Sequence, residues 1–193
     1  HVPVLLAQVK AGLAIQDNKL FIDGTFGRGG YSQAFLEDAQ CNVVALDRDP
    51  AARSSAQELR ARYDGRFRFF TGCFGDLEEI LFGQGVHDVD GGVVLDLGLS
   101  SPQVDDATRG FSFRSDGPLD MRMGLCGEGA ADFINRATMQ QLSDVIYTYG
   151  QERRARSVAR EIIRERNCRP ITRTGQLADI VRKVVKKSID GLD

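Results

Sequence analysis

Phe21-Ile22-Asp23-Gly24-Thr25-Phe26-Gly27-Arg28-Gly29-Gly30 decides the fold. An apolar run reaches an acid and then breaks into four glycines within seven positions. That is the pattern of a buried strand ending in a turn whose backbone comes close to a ligand. Asn42-Val43-Val44-Ala45-Leu46-Asp47 follows about one βαβ unit later and also ends on a carboxylate, as does Gly92-Val93-Val94-Leu95-Asp96. Strand, glycine turn, helix, strand, acid is the grammar of an α/β, Rossmann-like sheet that binds a nucleotide cofactor.

Charge narrows the choice of cofactor. A dinucleotide site places a pyrophosphate at a helix N-terminus behind Gly-x-Gly-x-x-Gly. Here the best alignment, Gly27-Arg28-Gly29-Gly30-Tyr31-Ser32, fails at Ser32, and Asp23 precedes the turn where a phosphate would be repelled. Three strand-end acids, Asp23, Asp47 and Asp96, suit a cationic ligand with hydroxyl donors. S-adenosyl-L-methionine fits, with Asp47 on its ribose and the glycine turn, Gly27 included, against its backbone-facing side. The competing readings are a flavin or nicotinamide domain, or strand-end acids that merely cap helices.

The 193 residues suffice for one α/β domain, or for a domain with an insertion. Apolar residues make up 42% and charged residues 27%, the balance of an ordinary globular protein. No apolar run approaches bilayer length and no basic-then-apolar leader opens the chain, so a cytoplasmic protein is expected. Cys41, Cys73, Cys126 and Cys168 are scattered, and with only two histidines they offer no zinc spacing; reduced thiols and no metal are expected. The net charge of −2 hides an asymmetry. Residues 1–150 carry 13 Lys/Arg against 21 Asp/Glu, whereas 151–187 carry 12 against 4. That basic block, with Arg153 and Arg154 at its start, is a candidate phosphate-backbone surface or else a solvated helix face.

Hydrophobic periodicity places helices at the opening segment, at 31–38, from Pro50 to about 63 and at 76–83, with strands over 66–70 and 92–97. Residues 98–123 are rich in Gly, Pro, Asp, Ser and Arg and show no period. Phe111, Phe113, Leu119, Met121 and Met123 argue for an ordered active-site loop. Helices follow at 130–136, 139–149, 151–167 and 174–187, with Pro170 between the last two and Thr172 or Thr174 as a cap. The expected division is a core of residues 1–125 and a helical insertion of 126–193.

The segments Asp23–Gly30, Leu46-Asp47-Arg48-Asp49-Pro50, Leu95–Gln103, Arg109-Gly110-Phe111-Ser112-Phe113, Asp116–Met123 and Tyr149-Gly150-Gln151-Glu152-Arg153 occur in order. Together they closely resemble the MraW (RsmH) family of small-subunit ribosomal RNA cytosine-N(4) methyltransferases. The resemblance implies a class I methyltransferase sheet with a helical insertion carried between two of its strands. It further implies a donor site of Gly29, Gly30, Tyr31, Asp47, Phe74, Asp96 and Gln103. The family usually carries His where this chain has Tyr31. It also continues after the insertion with further strands, so the chain is expected to lack part of that sheet.

Methylating the exocyclic amine of cytidine requires an in-line displacement, with a group nearby to accept the amine hydrogens. Asp96 or a carbonyl near Ser100 is the expected acceptor, with Asp120 as a further candidate. A base drawn from its stack can be held by aromatic or guanidinium planes, and Arg109, Arg114, Phe111 and Phe113 are available. The expected partner is small-subunit ribosomal RNA or the assembled small subunit, with a homodimer among the oligomeric options. The alternative is a methyltransferase acting on DNA or on a small-molecule amine.

Overall fold

A computed structural model describes residues 3–124 and 126–185. They fall into two compact units: one runs to Gly98 and takes in Met123 and Gly124, and the other holds Leu99–Arg122 and the residues from Cys126 onward. Contacts therefore group the 99–122 segment with the helices.

The first unit is built on a parallel sheet of β1 (Leu20–Asp23), β2 (Asn42–Asp47), β3 (Phe67–Thr71) and β4 (Gly92–Val94), in spatial order β3-β2-β1-β4. Continuous apolar runs, not alternation, are what a sheet covered on both faces requires. On one face, α1 (Leu6–Leu13), α2 (Gly30–Asp38) and α3 (Ala52–Arg62) pack against Phe21, Val43, Ala45 and Phe67. On the other, α4 (Leu77–Gly83) covers Ile22, Val44 and Leu46. The chain steps outward from β1 through β2 to β3 and then returns to lay β4 on the free side of β1. The strand order thus reverses at β1, and in open parallel sheets the crevice beyond the carboxyl ends at such a reversal is where ligands bind.

The strand expected over 92–97 is shorter. Its ladder with β1 runs from Phe21↔Gly92 to Asp23↔Val94, and the Gly24 amide closes it on the Val94 carbonyl at 3.0 Å. β1 ends at Asp23, so Leu95, Asp96 and Leu97 have no strand left to pair with on that side.

In the second unit, the stretch read as an aperiodic loop contains a helix, α5 (Ser101–Asp105), followed by a 3₁₀ turn over Ala107–Arg109. Five residues are too few for a period to register. What starts α5 is local: Pro102 is tolerated in the first turn, and Gln103 Oε1 accepts the Ser100 amide at 2.9 Å. The helices α6 (Ala130–Arg136), α7 (Met139–Thr148), α8 (Ala155–Cys168) and α9 (Thr174–Val184) enclose Leu142, Val158, Ile162, Ile171 and Ile180, and Leu119 joins them from the 99–122 segment.

The start of α9 differs from expectation. The Thr174 hydroxyl does not cap its own helix but accepts the Gly117 amide at 3.1 Å. Asp116 Oδ1 accepts the Gly175 amide at 2.9 Å, so the cap comes from 59 positions upstream. Lys186 and Lys187, expected in this helix, lie outside the described residues.

Candidate functional site

The glycine turn is fastened to the ends of the strands around it. The Phe26 amide donates to the Leu46 carbonyl at 2.9 Å, and the Gly27 amide donates to Asp47 Oδ2 at 2.6 Å. The Thr25 amide donates to Asp23 Oδ1 at 3.3 Å, while Thr25 Oγ1 accepts the Asp96 amide at 2.7 Å. The termini of β1, β2 and β4 are thereby joined through one seven-residue turn. Gly29 has φ 79°, and a Cβ there would lie 2.6 Å from Cζ of Phe26, so neither the backbone nor the space admits a side chain.

The three strand-end acids are not equivalent. Asp23 has no solvent exposure, and its second oxygen accepts the Ser32 hydroxyl at 2.7 Å. Burial pushes its carboxyl up to about 6, against the opposing hydrogen bond from Ser32. Asp23, expected beside the donor, turns inward, with one oxygen on the Thr25 amide of the turn and the other on the Ser32 hydroxyl of α2. Asp47 is half-buried and accepts the Asp49 amide at 2.8 Å besides that of Gly27. Asp96 is exposed. Of the trio, Asp47 and Asp96 face the solvent side of the crest.

Around the turn, Phe74 opens a 3₁₀ segment after β3 and is 40% exposed. A Cβ on Gly24 would lie 3.4 Å from the Phe74 Cβ, which puts that residue beside the turn. Tyr31 is buried, and its hydroxyl donates to the Val4 carbonyl. Gly30 is covered by Pro3, whose Cγ a Cβ at Gly30 would approach to 2.5 Å. Residues 3–5 therefore lie across the start of α2. Nothing in the sequence pattern signals this strap, and Tyr31 is spent on it.

The remaining candidates belong to the second unit. Gln103 is buried within α5. Asp120 meets Arg122 in a bidentate pair, Nε to Oδ1 at 2.8 Å and Nη2 to Oδ2 at 2.6 Å. The guanidinium holds the Asp120 carboxyl below the usual range, which makes it a poor proton acceptor while paired. Between the two, Met121 adopts φ 60°. Arg109 donates from Nη2 to the Arg122 carbonyl at 3.1 Å and lies 5.8 Å from the Phe111 ring centroid. Arg114 and Phe113 are exposed. Arg153 and Arg154 are both exposed, and Arg154 donates from Nη1 to the Val184 carbonyl at 2.8 Å. Among the described residues no cluster of three potential metal ligands occurs and no helix is long and apolar enough to cross a membrane.

A family model described as the MraW methylase family matches residues 1–190. The chain belongs to the MraW methylase family. Within it, the chain is 51% identical over all of its 193 residues to "Ribosomal RNA small subunit methyltransferase H" of Rhodospirillum rubrum and covers 59% of that protein. Proteins of the same name from Rhodospirillum centenum and Acidiphilium cryptum are 51% and 47% identical, with 58% and 61% of their lengths covered. The chain thus spans about three-fifths of the relatives it matches. A solved methyltransferase from Thiobacillus denitrificans, in complex with S-adenosyl-L-homocysteine, is 21% identical; the match covers 37% of this chain and 29% of that one, with a TM-score of 0.31. That likeness is too slight to weigh.

Proposed function

We propose that the protein transfers a methyl group from S-adenosyl-L-methionine to the exocyclic amine of a cytidine in small-subunit ribosomal RNA, as a cytoplasmic enzyme. One observation carries the cofactor assignment: the glycine turn is tied to a crest of carboxylates, with Asp47 Oδ2 on the Gly27 amide and Asp96 exposed nearby in sequence to β4. A phosphate would meet repulsion there, whereas a cationic ligand with a vicinal diol meets acceptors. Family membership and the names of the relatives support the reaction and the RNA substrate.

When bound, the donor supplies a methyl group on a cationic sulfur. The chain's residues have separable jobs. Asp47 accepts hydrogen bonds from the ribose hydroxyls. Phe74 offers an apolar face to the adenine, and the Gly29–Tyr31 backbone lets the ligand approach closely. Gln103 is assigned to the same donor. Asp96, or a carbonyl near Ser100, accepts a hydrogen from the amine as its lone pair localises on nitrogen. Asp23 acts one step back as a positioning residue, and Asp120 orders the 116–123 segment through Arg122. Arg109, Arg114, Arg153 and Arg154 are assigned to the RNA, Arg154 only through the guanidinium hydrogens that its bond to the Val184 carbonyl leaves over.

The test is radiolabelled methyl transfer to undermethylated small subunits and to naked small-subunit RNA, with the target cytosine replaced in a control. Label that depends on that cytosine supports the reading. Label appearing only on DNA or on small amines, or none at all, overturns it. Substituting Asp96→Asn should lower turnover strongly, and an unchanged rate would remove Asp96 from the chemistry.

A further inference from the structure

The basic block of the second unit is not a uniform positive surface. Most of its described cations are already committed. Arg164 pairs with Glu161 and Glu165, Arg182 with Asp179 at 2.9 Å, and Lys183 with Glu165 at 2.7 Å. Arg173 is held by Asp116. Arg166 donates to the carbonyls of Ile134 and Ala137 at 2.7 and 2.8 Å, closing the end of α6, and Arg154 donates to Val184.

Arg153, Arg156 and Arg160 are different. All three are exposed, and among the described residues none has an acidic partner or a hydrogen-bonded carbonyl; Arg169 is in the same state but stands past the last residue of α8, away from the other three. Ala155, Val158, Ala159 and Ile162 form the buried side of α8. Arg156 and Arg160, four residues apart, therefore stand on the side opposite to that apolar stripe, about 6 Å apart along the axis. Arg153 continues the line into the turn before the helix. Arg164 would extend it by another turn, but its two glutamates neutralise it.

We propose that Arg153, Arg156 and Arg160 are the phosphate-contacting stripe through which the helical unit holds its RNA. The proposal rests on the RNA-directed reading above and adds the surface. Uncommitted guanidinium groups in a row suit a polyanion, since each phosphate they neutralise releases counterions and needs no intramolecular bond to break. The stripe reads backbone and not sequence, so it contributes affinity and leaves target choice to other residues.

The test compares two triple variants with the same charge change. R153Q/R156Q/R160Q removes the stripe, and R164Q/R182Q/K183Q removes cations that already have acidic partners. Binding of a fluorescent small-subunit RNA fragment is measured by anisotropy across a salt series, together with KM and kcat for methyl transfer to the same RNA. The stripe variant should bind at least roughly tenfold more weakly at low salt, and its log–log salt slope should shrink by about 2 to 3. It should raise KM for RNA, leave kcat at saturating RNA unchanged and leave S-adenosylmethionine affinity unchanged. The control variant should keep the slope within about 1 of the parent.

Equal losses in both variants would mean that only net charge matters and would overturn the proposal. A stripe variant with parental affinity would overturn it while methyl transfer to RNA stands. Loss of binding to assembled subunits with RNA affinity intact would assign these arginines to a protein contact instead, also against it. If the parent protein methylates no RNA at all, the functional reading fails first and takes the stripe with it.

Discussion

Ser32 donates its hydroxyl hydrogen to Asp23 Oδ2 over 2.7 Å, at a place from which solvent is wholly excluded. Burial raises that carboxyl from 3.8 to about 6. Between these values the folded chain retains a proton that the unfolded chain has released, so stability falls as pH rises through the window and levels off above it. The cost of ionisation is on the order of 3 kcal/mol. Asp23→Asn keeps the shape and cannot ionise. The stability of the parent minus that of Asp23→Asn should decline from pH 4 to about 6 and then stay flat; thermal melts of both proteins across pH measure it. A difference that does not vary with pH would remove Asp23 as the titrating group.

Gly29→Ala places a methyl against the Phe26 ring and forces a residue with a side chain into φ 79°. A stability loss of about 1–3 kcal/mol is expected from strain and overpacking. Donor binding should fall with it, because the same turn carries the Gly27 amide to Asp47. Calorimetric titration with S-adenosylhomocysteine and a thermal melt read the two effects.

Removing Asp47 tests the crest directly. Asp47→Ala leaves the Gly27 and Asp49 amides without their acceptor and takes away the ribose partner, so donor affinity should drop roughly ten- to a hundredfold. Asp47→Asn, which keeps one acceptor oxygen, should fall between the two. Equal affinity in all three proteins would place the donor elsewhere.

Tyr31→Phe deletes only the hydroxyl that reaches Val4. A cost of about 1 kcal/mol is expected, and the amides of residues 3–5 should become more susceptible to proteolysis. If donor affinity also falls, the strap over α2 supports the turn. An unchanged cleavage pattern would show that Pro3 alone secures it.

At the head of α9, Asp116→Ala removes an N-terminal acceptor, and a fall in the urea midpoint is expected. Asp116→Asn should recover most of it, since the exposed ion pair with Arg173 contributes little. Urea unfolding of the two variants separates cap from charge.

The strands β1, β2 and β4 were legible in the sequence because each is an uninterrupted apolar run leading to an acid, a pattern tied to burial on both faces, whereas β3 showed itself by basic residues set between aromatics. The helices α7 to α9 were legible for a similar reason, their buried positions recurring at helical spacing. What was hidden depends on partners distant in sequence. Asp23 looks like Asp47 as a strand-end acid, yet one turns inward to Ser32 and the other outward, and only packing decides which. α5 was lost because it is too short to show a period. The cap on α9 was sought within two residues of the helix and comes from Asp116. Tyr31 offered no clue that Val4 was its partner.

The hydrogen bonds that join 116–119 to 172–175 carry a dynamic consequence. Leu119 donates to the Thr172 carbonyl, Thr174 to Gly117, Gly117 to the Thr174 hydroxyl and Gly175 to Asp116. Amides on both sides of this seam should exchange with deuterium at one shared rate, because neither side can open without the other. The first residues of α9 thus govern how long Asp120 and its neighbours keep their arrangement, and on the function proposed above a change in α9 should slow methyl transfer without touching any reacting atom.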